Sequence, residues 1–238
     1  AKFTSIGEGT LKNCISLKNV EFREGASVTG IETCRGCLAL ENVSFPSTMN
    51  EISVRCFLGC KALKSVELNE GLDGIYAGAF YGCSALTEIT MPSTLTLLVG
   101  DSFRGCTSLS SVTLNDGLKE IRARAFRGCT SLKQISLPST ITTLGNGAFY
   151  GSAIENLEIP ESQITIADSL CYNCKSLQSV KVSSKTVSVG VRAFNGCVKL
   201  ANIDLPDNIG TLGEGAFVDC NAFTEFTVPK LTRVLSNN

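Results

Sequence analysis

The chain has no histidine and no tryptophan among its 238 residues. Without histidine it lacks the usual general base, the usual triad member and the commonest zinc ligand. It also has no apolar run near the roughly 18 residues that a membrane-spanning helix needs. No excess charge of either sign is present: 21 Lys and Arg stand against 22 Asp and Glu, a net −1. Balanced, intermixed charge argues against nucleic acid or an anionic membrane as a bulk partner.

One short pattern fills the chain instead. Copies begin at Ile6, Thr29, Ile52, Ile75, Leu98, Ile121, Leu144, Ile166, Val189 and Leu212, stepping by 23 residues except for one step of 22 after Leu144. A fixed period in the twenties signals a solenoid. The sequence is therefore expected to form one continuous solenoid domain of ten coils over residues 1–238. It opens in repeat phase at Ala1-Lys2-Phe3-Thr4-Ser5-Ile6 and stops near Leu235, where an eleventh copy would begin. Neither end shows a capping segment, so a piece of a longer protein is expected, with any targeting signal outside it.

Positions are counted from one at the start of each copy. Position six is Phe in seven of ten copies, among them Phe57, Phe80 and Phe103, which predicts an aromatic spine. Positions fifteen and seventeen are apolar around a polar residue, as in Val112-Thr113-Leu114. That alternation is the signature of a short half-buried strand, and equivalent strands must stack in parallel. All six prolines fall at position eighteen, Pro160 one residue early in the 22-residue copy, and mark the strand's end. A second extended segment should follow, turning Leu95 and Leu98, or Ile141 and Leu144, inward. Position eight is Gly in seven copies and Asn13, Asn173 or Asp219 in the others, residue types that tolerate a left-handed backbone. A helical turn across A-F-x, ended by this residue, is expected before it.

The pattern L-x-x-I-x-L-P-x-x-[IL]-x-x-[IL]-G-x-x-A-F-x-G-C resembles the BspA-like, or treponemal, class of leucine-rich repeat. It is clearest from Leu132 to Leu144 with Gly145, Ala148 and Phe149, and from Leu200 to Leu212 with Gly213, Ala216, Phe217 and Cys220. Thr10-Leu11, Thr33-Cys34 and Leu170-Cys171 depart from its Ala-Phe. The resemblance implies an α/β leucine-rich repeat solenoid, a right-handed coil of short parallel strands with helical turns. It also implies an extracellular or cell-surface adhesion module, and it carries no catalytic residues.

Nine of twelve cysteines occupy position nine, where one copy has Ser152; Cys34, Cys56 and Cys171 replace Phe or Ala elsewhere. Cys34-Arg35-Gly36-Cys37 and Cys171-Tyr172-Asn173-Cys174 match the C-x-x-C spacing of zinc and thiol-redox sites. Both are also inward positions six and nine, which reads as buried free thiols packing as small hydrophobes. The two pairs lie roughly 30 Å apart at strand spacing and cannot share an ion. A disulfide among Cys34, Cys56 and Cys60 is a further possibility, since adjacent rungs approach the required separation. Secreted proteins usually oxidise their thiols, so free cysteines and secretion conflict unless the thiols are fully buried.

Outward positions fourteen and sixteen are small, polar and mixed in charge, and Asn42-Val43-Ser44 there is a glycosylation sequon. Position seven is richer: Lys12, Arg35, Leu58, Tyr81, Arg104, Arg127, Tyr150 and Tyr172, with Arg122 and Arg124 close by. Arg and Tyr are enriched in interface hot spots. They also commonly lay their stems over apolar surface while keeping polar ends wet. Candidate partner-binding residues are therefore Arg104, Arg122, Arg124, Arg127, Tyr81, Tyr150 and Tyr172. The chain is expected to be a non-catalytic, monomeric recognition module, cell-surface or secreted, binding a protein or a glycan. No cofactor, metal, nucleic acid or membrane insertion is expected. A cytoplasmic interaction scaffold, or a thiol-redox or zinc protein built on the C-x-x-C pairs, are the alternatives.

Overall fold

A computed structural model describes residues 6–230 and the backbone of 234–235. The expectations placed on residues 1–5 lie outside these. The alternating triplet forms a three-residue strand in seven copies: Asn19–Glu21, Asn42–Ser44, Glu88–Thr90, Ser111–Thr113, Asn156–Glu158, Ser179–Lys181 and Asn202–Asp204. They pair in parallel and at equivalent positions, Val180 beside Ile203 for example. Residues 65–67, 134–136 and 225–227 carry the same alternation but form no strand, and this face divides into sheets of two, two and three strands. Nothing in their side chains explains the missing pairing.

The second extended segment is present as two-residue strands. Glu51–Ile52, Gly74–Ile75, Leu97–Leu98, Glu120–Ile121 and Thr143–Leu144 form one sheet; Thr165–Ile166, Ser188–Val189, Thr211–Leu212 and Val234–Leu235 form another. The break between them falls at the 22-residue step. The bonds from Gly145 N to Ile121 O and from Gly190 N to Ile166 O have no counterpart at Ala167.

The expected helical turns are not there: among the described residues no helix exists, so the fold is a β-solenoid rather than α/β. The physical reason is a backbone that reverses hand twice per coil. Position eight has positive φ in every copy, as its residue types predict, and so does position four, including Glu32, Arg55, Asp101, Arg124, Ser169 and Arg192. Between these points, N–H groups alternate in direction. Those at positions five, seven and nine bond back three residues, as Arg127 N does to Arg124 O. Those at four, six and eight bond to the next coil, as Phe80 N does to Ser102 O at 2.8 Å. An α-helix sends every N–H back along its own turn; here half of them tie coils together. This corner ladder runs unbroken from Leu11 to Ala216, through the 22-residue step, where Phe149 N reaches Leu170 O at 3.0 Å.

The core is one continuous cluster. Phe57, Phe80, Phe103, Phe126 and Phe149 stack at centroid distances of 5.3 to 6.0 Å with near-parallel planes. The stack stops at Cys171 and resumes with Phe194 and Phe217. Where Cys34 leaves the spine short, Phe22 and Phe45 from position seventeen pack edge-on against Phe57. Ten equal coils are also corrected. Position twelve is fully buried at Leu40, Leu63, Leu86, Leu109, Leu132, Leu177 and Leu200, and so is Ile154, one residue early in the shortened copy, giving eight closed turns. In the outer copies Leu17 and Phe223 are only partly covered, because each lacks a closed coil on one side.

Over the first six copies a longer period overlies the 23-residue one. Positions eighteen to twenty alternate there between Arg23-Glu24-Gly25, Asn69-Glu70-Gly71 or Asn115-Asp116-Gly117 and Pro46-Ser47-Thr48, Pro92-Ser93-Thr94 or Pro138-Ser139-Thr140; the alternation ends where Pro160 follows Pro138. The two kinds interlock. Ser93 N and Oγ donate to the Glu70 carboxylate, Gly71 N donates to Thr94 Oγ1 and Thr94 Oγ1 to Leu72 O. Ser47 and Thr48 clip Glu24, Gly25 and Ala26 the same way.

Candidate functional site

The corner that replaces the helix holds the arginines. Seven of the eight described arginines, Arg35, Arg55, Arg104, Arg122, Arg124, Arg127 and Arg192, stand at positions two, four or seven of it. The left-handed residue at position four sets their spacing, because side chains at four and seven emerge one turn apart on the same edge. Where position four is Arg, the next copy has Gly there. A Cβ on Gly147 would come 3.5 Å from Arg124 Cγ, and one on Gly78 3.4 Å from Arg55 Cγ, so the arginine stem lies over a bare backbone.

Six of the seven candidate residues are brought together. The Arg104 guanidinium sits over the Tyr81 ring, 5.0 Å from its centroid, and Arg127 over Tyr150 at 4.2 Å. Tyr150 stacks on Tyr172 at 4.7 Å. Asp101 joins Arg104 at 3.3 Å to Arg124 at 3.2 Å. Arg122 stands apart, turned to Glu120 at 2.8 Å on the neighbouring strand. Arg127 has no carboxylate within ion-pair distance among the described residues; its ring contact alone orients it. Residues 54–58, 77–81 and 100–104 frame a shallow depression of about 250 Å³ that includes Arg55, Tyr81, Asp101 and Arg104.

The same edge continues at the other end of the corner, where sequence reasoning missed a second group. Glu32 is almost covered and takes Lys12 at 2.8 Å, Arg35 at 2.6 Å and Arg55 at 3.6 Å. The Lys12 hydrogen bond foremost, and Arg35 after it, hold the Glu32 carboxyl below its ordinary range. The signal was the charged residue at position four in five copies, unread because no secondary-structure role had been given to that position.

The BspA-type leucine-rich repeat model matches residues 1–110 and 100–224, in six copies. The chain belongs to the BspA-type leucine-rich repeat family. A solved leucine-rich repeat protein of Bacteroides ovatus is 26% identical, with a TM-score of 0.65 over 95% of this chain and 70% of that one. A leucine-rich repeat protein of T. pallidum is 30% identical, with a TM-score of 0.61 over 65% of this chain and 72% of that one. A leucine-rich cell surface protein of Faecalibacterium prausnitzii, 22% identical, shares the fold at a TM-score of 0.60 over 92% of this chain and 81% of that one. No curated protein matches the sequence. Leucine-rich repeats of this family make a protein-interaction module the coarse functional assignment.

In this BspA-type solenoid the cysteines are structural donors. Among the described residues every thiol at position nine except the exposed Cys14 donates to the position-six carbonyl of the preceding coil: Cys83 to Phe57 O, Cys106 to Phe80 O and Cys129 to Phe103 O, for example, at 3.1 to 3.2 Å. Cys174 does the same to Phe149 O at 2.9 Å and also meets Ser152 Oγ at 3.4 Å. The C-x-x-C pairs follow this rule, with Cys37 on Leu11 O, and Cys34 and Cys171 fully buried. Burial pushes the Cys37 thiol up to about 11 and Cys106 to about 12. Thiols raised in this way are poor nucleophiles and poor metal ligands, both of which need the thiolate. Cys174 departs from them: burial raises it, but hydrogen bonds with Cys171 and Ser152 outweigh that and lower it, and its side chain is nonetheless fully buried. Among the described residues no three Cys, Asp or Glu side chains converge as metal ligands do.

The strand face carries shallow depressions beside the unpaired triplets, one of about 340 Å³ around Asn42, Ser44, Ser65 and Glu67. Asn42 of the sequon donates from Nδ2 to Asn19 Oδ1 at 2.8 Å, holding its side chain along the sheet.

Proposed function

We propose that this chain is a non-catalytic recognition module of a cell-surface or secreted protein, binding its partner along the arginine–tyrosine corner. The carrying observation is the row Tyr81, Arg104, Arg127, Tyr150 and Tyr172, whose cation–π and ring contacts fix the side chains before any partner arrives. Preorganised Arg and Tyr lose little conformational freedom on binding. The family supports a binding role, and the likeness in fold to a Faecalibacterium cell surface protein supports the location. The test is adhesion of the purified chain to cultured epithelial cells and to a fibronectin-coated surface. Arg104→Glu with Arg127→Glu should abolish the binding seen with the unmodified chain. Unchanged binding discards the corner.

One observation favours an intracellular scaffold instead. The ladder uses its cysteines as thiols, a form that a reducing compartment maintains without further protection. Expression of the full-length gene with a terminal tag, followed by surface labelling of intact cells, separates the two.

A further inference from the structure

We infer that the corner's ligand is a linear anionic polysaccharide, one bearing carboxylate or sulfate groups along its length; this rests on the corner being the binding surface proposed above. Three observations point there. First, charge is unevenly placed on the near-neutral chain. Between residues 76 and 151 the corner carries Arg104, Arg122, Arg124 and Arg127 against Asp101, whereas Glu8, Glu32, Asp168, Glu214 and Asp219 offset the arginines toward its two ends. Outward positions fourteen and sixteen of the strand face carry Glu21, Glu67, Glu88, Glu158, Asp204 and Glu225 against the single cation Lys181, itself tied to Glu158. A polyanion is drawn to the central corner and repelled from the strand face. Second, the guanidiniums form a line along the solenoid axis rather than a ring around a cavity. Among the described residues only Asp101 and Glu120 pair with Arg104, Arg122 and Arg124, and Arg127 has no carboxylate partner. Guanidinium forks match carboxylate and sulfate oxygens bidentately. Third, the edge offers a peptide little else. Its alternate N–H groups are consumed by the ladder between coils, leaving no strand edge to extend. The ring faces of Tyr81 and Tyr150 are already covered by Arg104, Arg127 and Tyr172. Apolar side chains on the edge lie toward its ends, at Ile31, Val54, Leu58, Val191 and Val218; from Arg104 to Tyr150 guanidinium and phenol dominate, which suits a chain of charges and hydroxyls.

The experiment measures binding of the whole chain to immobilised heparin, polygalacturonate, dextran and poly-L-glutamate over a salt series. Heparin or polygalacturonate should bind, with affinity falling steeply as salt rises, and dextran should not. The exposed or half-exposed triple variant Arg104→Gln, Arg124→Gln, Arg127→Gln should bind about tenfold or more weakly. An equal loss of charge elsewhere, Lys64→Gln, Lys119→Gln, Lys133→Gln, should leave binding within about twofold. Circular dichroism of both variants establishes that they fold. Equal weakening by the lysine variant would overturn the assignment to the corner. Poly-L-glutamate binding as tightly as polygalacturonate would make the occupant an acidic peptide and overturn the polysaccharide. If no polyanion binds while the Arg104→Glu, Arg127→Glu pair still blocks cell adhesion, the polyanion inference fails and the corner stands. If polyanions bind but adhesion is unaffected, the adhesion function fails and this inference stands.

Discussion

At the scale of single residues, cysteine and glutamate show how partners set chemistry. A buried thiol that donates to a carbonyl acts as a spacer between coils; deleting it at Cys106 removes one of two donors, because Phe80 O also accepts the Cys83 N–H. Cys106→Ala should therefore lose about 0.5–1.5 kcal/mol of hydrogen bonding in urea unfolding. Exposure separates the thiols as well: Cys14 is exposed and the other eleven are buried. With a thiol reagent at pH 8, Cys14 should react promptly and the rest only on unfolding; prompt reaction of Cys34 or Cys171 would revive the redox reading. Glu32 gives an acid limit. Its carboxyl is depressed by Lys12 and Arg35, so its contribution is fully present above the ordinary value of 4.5 and is lost as pH falls through the depressed one. Glu32→Gln should lower stability at pH 7 and flatten the acid limb of the pH–stability curve.

At the scale of elements, the corner turn decides the fold, and its residues tolerate change unequally. Gly59 has φ of 75° with open space around its missing side chain, so Gly59→Ala should cost only the left-handed strain, about 1–2 kcal/mol. A Cβ on Gly145 would lie 2.4 Å from Ala123 N, in backbone fixed by the ladder. Gly145→Ala should therefore shift the urea midpoint several times further than Gly59→Ala, and equal shifts would show that the corner yields. The role of position eight was legible, because Gly, Asn and Asp share one conformational property. Position four was not. Gly, Ser, Asp, Glu and Arg share none, and the neighbouring coil imposes its positive φ through a hydrogen bond that no local window contains. The same blindness produced the expected helix, since A-F-x-G suits a helical turn until the next coil competes for its N–H groups. The 46-residue alternation of Glu-Gly with Pro-Ser-Thr was on view but masked by counting at 23.

At the scale of the whole molecule, many equivalent rungs sum small effects. Burial raises thiols along the ladder in the folded state, Cys37 and Cys220 to about 11 and Cys106 to about 12. Their stabilising contribution is complete below roughly pH 8.5, where unfolded thiols titrate, and is lost as pH rises through the folded values. Thermal unfolding followed between pH 7 and 11 should show a steep alkaline decline that is shallower in Cys106→Ala, which lacks one raised thiol. The 22-residue step interrupts the short-strand sheet but not the corner ladder, so opening should begin there. Hydrogen exchange at Ala167 should be faster than at Gly145 or Gly190, whose N–H groups are bonded; comparable protection would refute a weak point at the step.

The sequence alone determined the solenoid, its period, the aromatic spine and the inward thiols, because burial repeats wherever the pattern repeats and apolar residues at fixed spacing have one way to be covered. It also named six of the residues that meet on the corner. Tertiary structure decided what those residues do together. Hydrogen bonds between coils turned a helical segment into a ladder and set positions four and seven on one edge. Composition adds up charge without regard to place, so only the folded coil could gather Arg104, Arg124 and Arg127 on one stretch of the corner and the carboxylates of positions fourteen and sixteen on the strand face, in a chain of net charge −1.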